Sequence, residues 1–317
     1  MGALRRSETG APTPFYRPMA TTQARVIASM EPALRQRRLS ERVFFRLLRH
    51  RLALVGMILT ALIVFTAIFA DVIAPYDPLE IRLKDRLQPP SSLHLMGTDH
   101  LGRDVFSRVV YGSRISLQVG VVSVALGTIV GLFVGMAAGY LGKSVDTVLM
   151  SIMDAIYAFP AILLALALVA AFGQGLVTVM TAIAIVRIPI FARTVRSSIL
   201  AEKEKEYVEA ARCIGQREWL ILFRHILPNI MAPIIVVTTT YFAAAIVVEA
   251  SLSFLGLGVP PPQASWGVML YDGRKYMEQA PYVVIYPGLA ISLAVLGFNL
   301  LGDGLRDVLD PRLRNVT

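Results

Sequence analysis

Long segments without a single charged side chain constrain this chain more than any other feature. Residues 52–70, 115–141 and 155–186 contain no Asp, Glu, Lys or Arg. A helix of about 20 apolar residues crosses the hydrocarbon core of a bilayer, where every backbone polar group must be satisfied within the protein. Residues 52–70 and 115–141 each read as one span. Residues 155–186 are too many for one, and Phe172-Gly173-Gln174-Gly175 is a turn signal. That region divides into spans at about 148–171 and 176–192. Residues 229–248 make a fifth span and 280–301 a sixth. The predicted fold class is an all-α membrane protein with six transmembrane helices.

Basic residues orient the spans. With the N-terminus inside, residues 1–51 hold 11 Lys and Arg, Lys143 is 1 more, residues 187–224 hold 8 and residues 303–317 hold 3. The inside total is 23 against 8 outside, which predicts N-in, C-in. The same placement accounts for the net charge of +9. The cations flank a membrane, so the expected contact is lipid and not nucleic acid. Only 17% of residues are charged, against about a quarter in soluble domains.

Several chemistries are excluded. Cys213 is the single cysteine, and the four histidines show no ligand spacing. No metal site is expected. Residues 1–51 lack the apolar core and cleavage site of a signal peptide. Gly142-Lys143-Ser144 resembles the end of a phosphate-binding loop, but position 137 is Ala137 where the pattern needs glycine. No motif frames a nucleophile. No catalytic residue and no cofactor are expected in this chain.

Residues 1–32 are polar, contain Pro12, Pro14, Pro18 and Pro32, and read as a disordered cytoplasmic tail. In residues 33–51, Leu39, Val43, Phe44, Leu47 and Leu48 recur at helical spacing among arginines. This is an amphipathic cytoplasmic helix on the membrane face, or an arginine flank serving topology alone. Residues 52–114 comprise the first span and an external segment. Residues 115–302 form a core with five spans and a cytoplasmic loop at 193–228, and residues 303–317 a cytoplasmic tail. Gly127, Gly131, Gly135 and Gly139 fall on one helical face and suit close helix packing. Arg187 is expected to snorkel to the interface, with a substrate path as the alternative. Glu249 is read as interfacial or as a substrate contact. Asp99, Arg103, Asp104 and Arg108 are spaced for ion pairing on a short helix, as bracing or as a contact for a delivery protein.

The loop at 193–228 is the informative stretch. Residues 197–214 read as a helix, with Tyr207, Ala210, Ala211 and Ile214 on one face and Gly215 as its stop. A second helix starts near Gln216, carries Trp219, Leu222 and Phe223, and reaches Pro228. So small an apolar face suits docking into another protein, or packing on its own bundle.

Glu209-Ala210-Ala211, Gly215 and Ile226-Leu227-Pro228 resemble the EAA motif of ABC importer permeases, with one residue fewer between the Ile and the Leu than the family pattern. Gly97-Thr98-Asp99 with Gly102-Arg103-Asp104 and Ser107-Arg108 resembles a stretch of the dipeptide/oligopeptide C-type permeases. So do the run from Ala250 to Gly258 with Pro261, Pro262, Trp266 and Gly267, and the run from Leu301 to Asp307 with Asp310-Pro311. The resemblance covers roughly residues 45–314 and implies a type I ABC importer permease-like bundle in the bacterial plasma (inner) membrane.

It further implies a role in ATPase coupling for Tyr207, Glu209, Ala210, Ala211, Ile214, Gly215, Ile226, Leu227 and Pro228. The implied partners are a homologous permease in a heterodimer, two ATP-binding subunits that hold the ATP and Mg, and an extracytoplasmic solute-binding protein. The implied substrates are peptides, glutathione or nickel. Pro261, Pro262, Trp266 and Gly267 are expected at an external gate or a binding-protein contact. No substrate-binding residue is identified. An ion-coupled secondary carrier would require charges at mid-membrane and an inverted repeat, neither of which the sequence shows. An intramembrane enzyme would require a nucleophile or metal cluster. A scaffold without transport is opposed by the EAA-like loop.

Overall fold

A computed structural model describes Leu47, Leu48 and residues 50–309. The expected tail 1–32, most of the amphipathic segment 33–51, and residues 310–317 lie outside the described residues. Within them the regular elements are all helices, with a single isolated bridge between Thr98 and Asp104 in place of any strand.

Helix α1 (Arg51–Ile68) starts where His50 Nδ1 accepts from the Ala53 amide, 3.3 Å away. Helix α2 (Val105–Leu141) begins ten residues before the apolar run expected to span. Asp104 causes the early start, because its carboxylate accepts from the Ser107 amide at 2.7 Å and from the Ser107 hydroxyl at 2.8 Å. That is an N-cap, which satisfies donors the first turn leaves free. Asp104 therefore does not join the pairing expected of it on a short helix, and residues 97–104 are not helical.

The expected third span is broken. Helices α3 (Lys143–Tyr157) and α4 (Ala161–Phe172) meet at 88°. Pro160 accounts for the break, since it has no N–H and pushes Phe159 out of the helical region. Helix α5 (Leu176–Glu202) is followed by α6 (Glu206–Cys213). A helix then restarts at Glu218, passes through a π-helical segment at Ile221–Ile226, and continues as α7 (Leu227–Phe254). Helix α8 (Trp266–Gly273) and α9 (Tyr282–Leu309) complete the bundle. Among the described residues five helices are long and apolar enough to cross a membrane, and the bent α3–α4 pair makes a sixth crossing if it counts as one.

Close backbone approach holds the bundle together. A methyl added at Gly131 would lie 2.5 Å from Phe191 Cβ, and one at Gly135 would lie 2.5 Å from the Ala192 carbonyl. Gly127 and Gly139 meet α5 at Ala184 and Arg196. The glycine row is thus a seam along which α2 lies against α5, the packing mode open to helices whose solvent is as apolar as their side chains. A second seam joins α1 to α9, where Gly56 meets Leu300 and Leu301, and Gly304 meets Ala53. Away from the seams, α1 exposes Leu52, Ile58, Leu62, Phe65 and Ile68, as a lipid-facing helix does.

The loops sort into two ends. At one, Gln174 Nε2 donates to the Gly256 carbonyl at 2.8 Å. At the other, Lys203 Nζ donates to the Gly139 carbonyl at 3.3 Å, and the Tyr140 hydroxyl donates to the Glu218 carbonyl at 3.0 Å. The loops expected to share a side of the membrane share an end of the bundle.

Candidate functional site

The segment expected as one helix over 197–214 is two. Residues 203–205 form a turn between α5 and α6. Glu202, almost fully buried, organises the turn: it accepts from the Tyr207 hydroxyl at 2.7 Å and pairs with Lys205 Nζ at 2.7 Å. Burial first, then the bond to Glu202, pushes the Tyr207 phenol up to about 12. It remains a hydrogen-bond donor at any physiological pH.

The four residues expected on a single apolar face of α6 separate. Val208 and Ala211 are buried against Ile199, Ile221, Ile226, Ile230 and Met136. Glu209, Ala210 and Ile214 point outward, and Tyr207 is half-buried. Val208 was absent from the expected face. Its three-residue spacing from Ala211 is the signal that identifies the inward stripe.

Gly215 ends the helix by its conformation. Its φ is +73°, and nothing lies within 4 Å of the space a side chain would take. The Gly215 amide donates to the Arg212 carbonyl at 2.9 Å and the Gln216 amide to the Ala211 carbonyl at 3.1 Å. This pair of bonds is a Schellman motif, which favours glycine at that position. Beyond it, Ile226 is fully buried, Leu227 half-buried and Pro228 exposed. Pro228 lacks an N–H and would crowd the Arg224 carbonyl in a regular α-helix. The wider π turn, in which the Leu227 amide donates to the Leu222 carbonyl, precedes it and carries the chain on without a kink-inducing clash.

The result is an outward apolar surface on a helical turn at one end of the bundle. Ile214 is 81% exposed, Trp219 58% and Phe223 49%. Glu209 and Ala210 lie on the exposed side of the same turn.

At the opposite end, the segment around Gly97 to Arg108 is a buried brace. Arg103 Nε lies 2.6 Å from Asp99 Oδ2, and Arg108 Nε lies 3.6 Å from the same oxygen. Both guanidinium groups also reach Asp272 on α8, at 3.3 and 3.9 Å. His94 Nδ1 lies 3.0 Å from Asp104 Oδ1. The pairing expected between Asp99 and Arg103 is present, but in a loop, and its third partner lies 169 positions further on.

Two of the four residues expected at an external surface are interior. Trp266 is 2% exposed, and its Nε1–H donates to the Val109 carbonyl at 2.8 Å. Gly267 is buried where a methyl would lie 2.6 Å from Ser253 Cβ. Pro261 and Pro262 are exposed. Glu249 is fully buried and accepts from the Ser253 hydroxyl at 2.9 Å. Arg187 is half-buried. Its guanidinium carbon lies 4.8 Å from the centre of the Tyr241 ring, and its Nε is buried without a hydrogen-bond partner. Among the described residues no group of His, Cys, Asp and Glu has the geometry of a metal site.

A helical bundle with five or six candidate spans, a helical turn at one end and a braced segment at the other is that of a multi-pass membrane protein, and comparison with known proteins places it. The chain belongs to the family described as binding-protein-dependent transport system inner membrane component, which matches residues 127–315. Residues 39–90 match the N-terminal TM domain of oligopeptide transport permease C. The chain is 46% identical over 272 residues to the dipeptide transport system permease protein DppC of Alkalihalophilus pseudofirmus, covering 86% of this chain and 90% of that one. It is 47% identical over 271 residues to the glutathione transport system permease protein GsiD of Pectobacterium atrosepticum, covering 85% and 90%. An inward-facing structure of the MetNI methionine ABC transporter shares the fold, with a TM-score of 0.54 at 18% identity, over 64% of this chain and 96% of that chain. The protein is therefore a multi-pass permease subunit of a bacterial ABC importer in the inner membrane, without catalytic activity of its own.

Proposed function

We propose that this chain forms half of the path of a peptide importer, taking dipeptides or glutathione-like peptides. The observation that carries the reading is the exposed apolar turn of Ile214, Trp219 and Phe223 beside Glu209 and Ala210. Such a patch in water calls for a partner, and its place at a permease's basic end suits an ATP-binding subunit. The dipeptide and glutathione permeases that resemble it at 46% and 47% identity support the substrate class.

In this reading the chain pairs with a homologous permease and rests on two ATP-binding subunits inside. It receives peptide from a solute-binding protein outside, with both termini in the cytoplasm. ATP-driven closure of the subunits displaces the turn at 206–228 and switches the bundle between two states. Tyr207, Ala211, Ile226, Leu227 and Pro228 position the turn, while Glu209, Ala210, Ile214 and Gly215 face the partner. Pro261 and Pro262 offer the exposed contact for the binding protein. The test is gentle solubilisation of the tagged chain from native membranes. Recovery of a second permease and ATP-binding subunits is expected, and recovery of the chain alone in several mild detergents would overturn the assembly.

A further inference from the structure

Arg187 is the only charged side chain between residues 155 and 192. It lies eleven residues into the 27-residue α5, about 16 Å along the helix at 1.5 Å per residue, well inside both of its ends. A cation at that depth is expensive and is expected to have a partner. The next two arginines on α5 have one each. Arg193 lies 2.6 Å from Asp154, and Arg196 lies 2.5 Å from Asp146, both carboxylates on α3. Arg187 has no carboxylate within ion-pair distance among the described residues. It has the face of Tyr241, and its Nε is buried with no hydrogen-bond partner.

Arg187 borders a cavity of about 380 Å³ lined also by Tyr157, Phe159, Pro160, Ile190 and Tyr241. The cavity exists because Pro160 breaks the α3–α4 pair, so that the helices turn away from α5 at this level. The first residue of α4, Ala161, also lines it, and that helix start has no side-chain cap. A planar guanidinium held by an aromatic face, with donors to spare and no anion beside it among the described residues, matches a carboxylate. The volume accommodates a small residue with its terminal group.

We propose that this cavity is a station for the free carboxylate of the peptide in transit, with Arg187 as the binding group. The proposal rests on the peptide-import reading above and deepens it. The carboxylate approaches along the open side of the cavity and pairs with the guanidinium. It leaves when the bundle changes state. Tyr241 is a positioning residue that keeps the guanidinium aimed at the cavity.

The test uses the full chain expressed with its companion permease, ATP-binding subunits and binding protein, in cells lacking other peptide importers. Uptake of radiolabelled Ala-Phe is compared with uptake of its C-terminal amide, at equal amounts of chain in the membrane. Arg187→Gln is expected to lower uptake of the free acid at least tenfold, with Arg187→Lys restoring a third or more. Uptake of the amide is expected to differ less than twofold between wild type and Arg187→Gln. Equal loss for both peptides, or undiminished uptake of the acid by Arg187→Gln, would overturn the proposal. If wild type does not carry the amide, failure of Arg187→Lys to rescue the acid overturns it. In proteoliposomes, an Arg187→Gln defect that appears only with phosphatidylglycerol would assign the site to a lipid headgroup, against the proposal. Absence of wild-type uptake of any peptide would strike the peptide reading itself and remove this site's ligand with it.

Discussion

The Tyr207 hydroxyl donates to Glu202 Oε1 at 2.7 Å, so the first turn of α6 is tied to the last residue of α5. Asn229 at the start of α7 donates to the same hydroxyl at 3.3 Å. One phenol therefore joins three helices across the turn proposed to face the ATP-binding partner. Tyr207→Phe keeps the ring and removes the bond. Uptake per ATP hydrolysed by the assembled transporter is expected to fall about threefold to tenfold, since a net hydrogen bond is worth about 1 kcal/mol. Unchanged stoichiometry would show that the tie does not transmit motion.

Gly215 provides a sharper lesion. A side chain at φ +73° costs about 1–2 kcal/mol whatever its size. Gly215→Ala is expected to weaken uptake modestly because the surrounding space is open. Gly215→Arg adds bulk on the docking side and is expected to abolish uptake while leaving the chain in the membrane. Normal uptake by Gly215→Arg at normal expression would count against docking here.

The α2–α5 seam tolerates no such bulk. At Gly135 the obstructing atom is the Ala192 carbonyl oxygen, which belongs to backbone and cannot swing aside. Gly135→Leu is expected to separate the helices and abolish a monodisperse peak in detergent size-exclusion. Gly288→Leu, at a helical position with nothing within 4 Å, serves as the control for bulk alone and is expected to retain the peak.

The brace at the other end makes a stability prediction. Asp99 pairs with Arg103 and Arg108 and accepts from the Leu101 and Arg103 amides. Asp99→Asn leaves buried cations short of an anion, at a cost of about 3 kcal/mol. The expected readout is a lowered thermal midpoint and faster proteolysis of residues 75–104, with the α2–α5 seam intact.

Cys213, exposed and the sole cysteine, reports orientation. A membrane-impermeant maleimide is expected to label it in inside-out vesicles and not in intact spheroplasts. Docked ATP-binding subunits are expected to slow that labelling, because Cys213 is the last residue of α6.

Much of this was legible in the residues. Uncharged runs located the long helices, because lipid leaves the chain few alternatives. The glycine row forecast close packing, and Glu209 to Pro228 forecast the turn. What escaped were features set by distant partners or by single side chains. Asp104 extends α2 by capping it, and nothing in the apolar run marks that. Asp272 completes the brace from the far side of the sequence. Trp266 and Gly267 lie in a polar-looking segment, yet Gly112 leaves room for the indole and α7 leaves room for Gly267. Val208 lay one step from the expected face, hidden by a charged neighbourhood.

The helix from Glu218 to Phe254 runs 37 residues through its π turn, about 55 Å at 1.5 Å per residue. Trp219 and Phe254 are thus opposite ends of one rod. A tilt imposed at the indole reappears, reversed in sense about whatever point in the bilayer acts as fulcrum, beneath the proline-rich loop that follows Phe254.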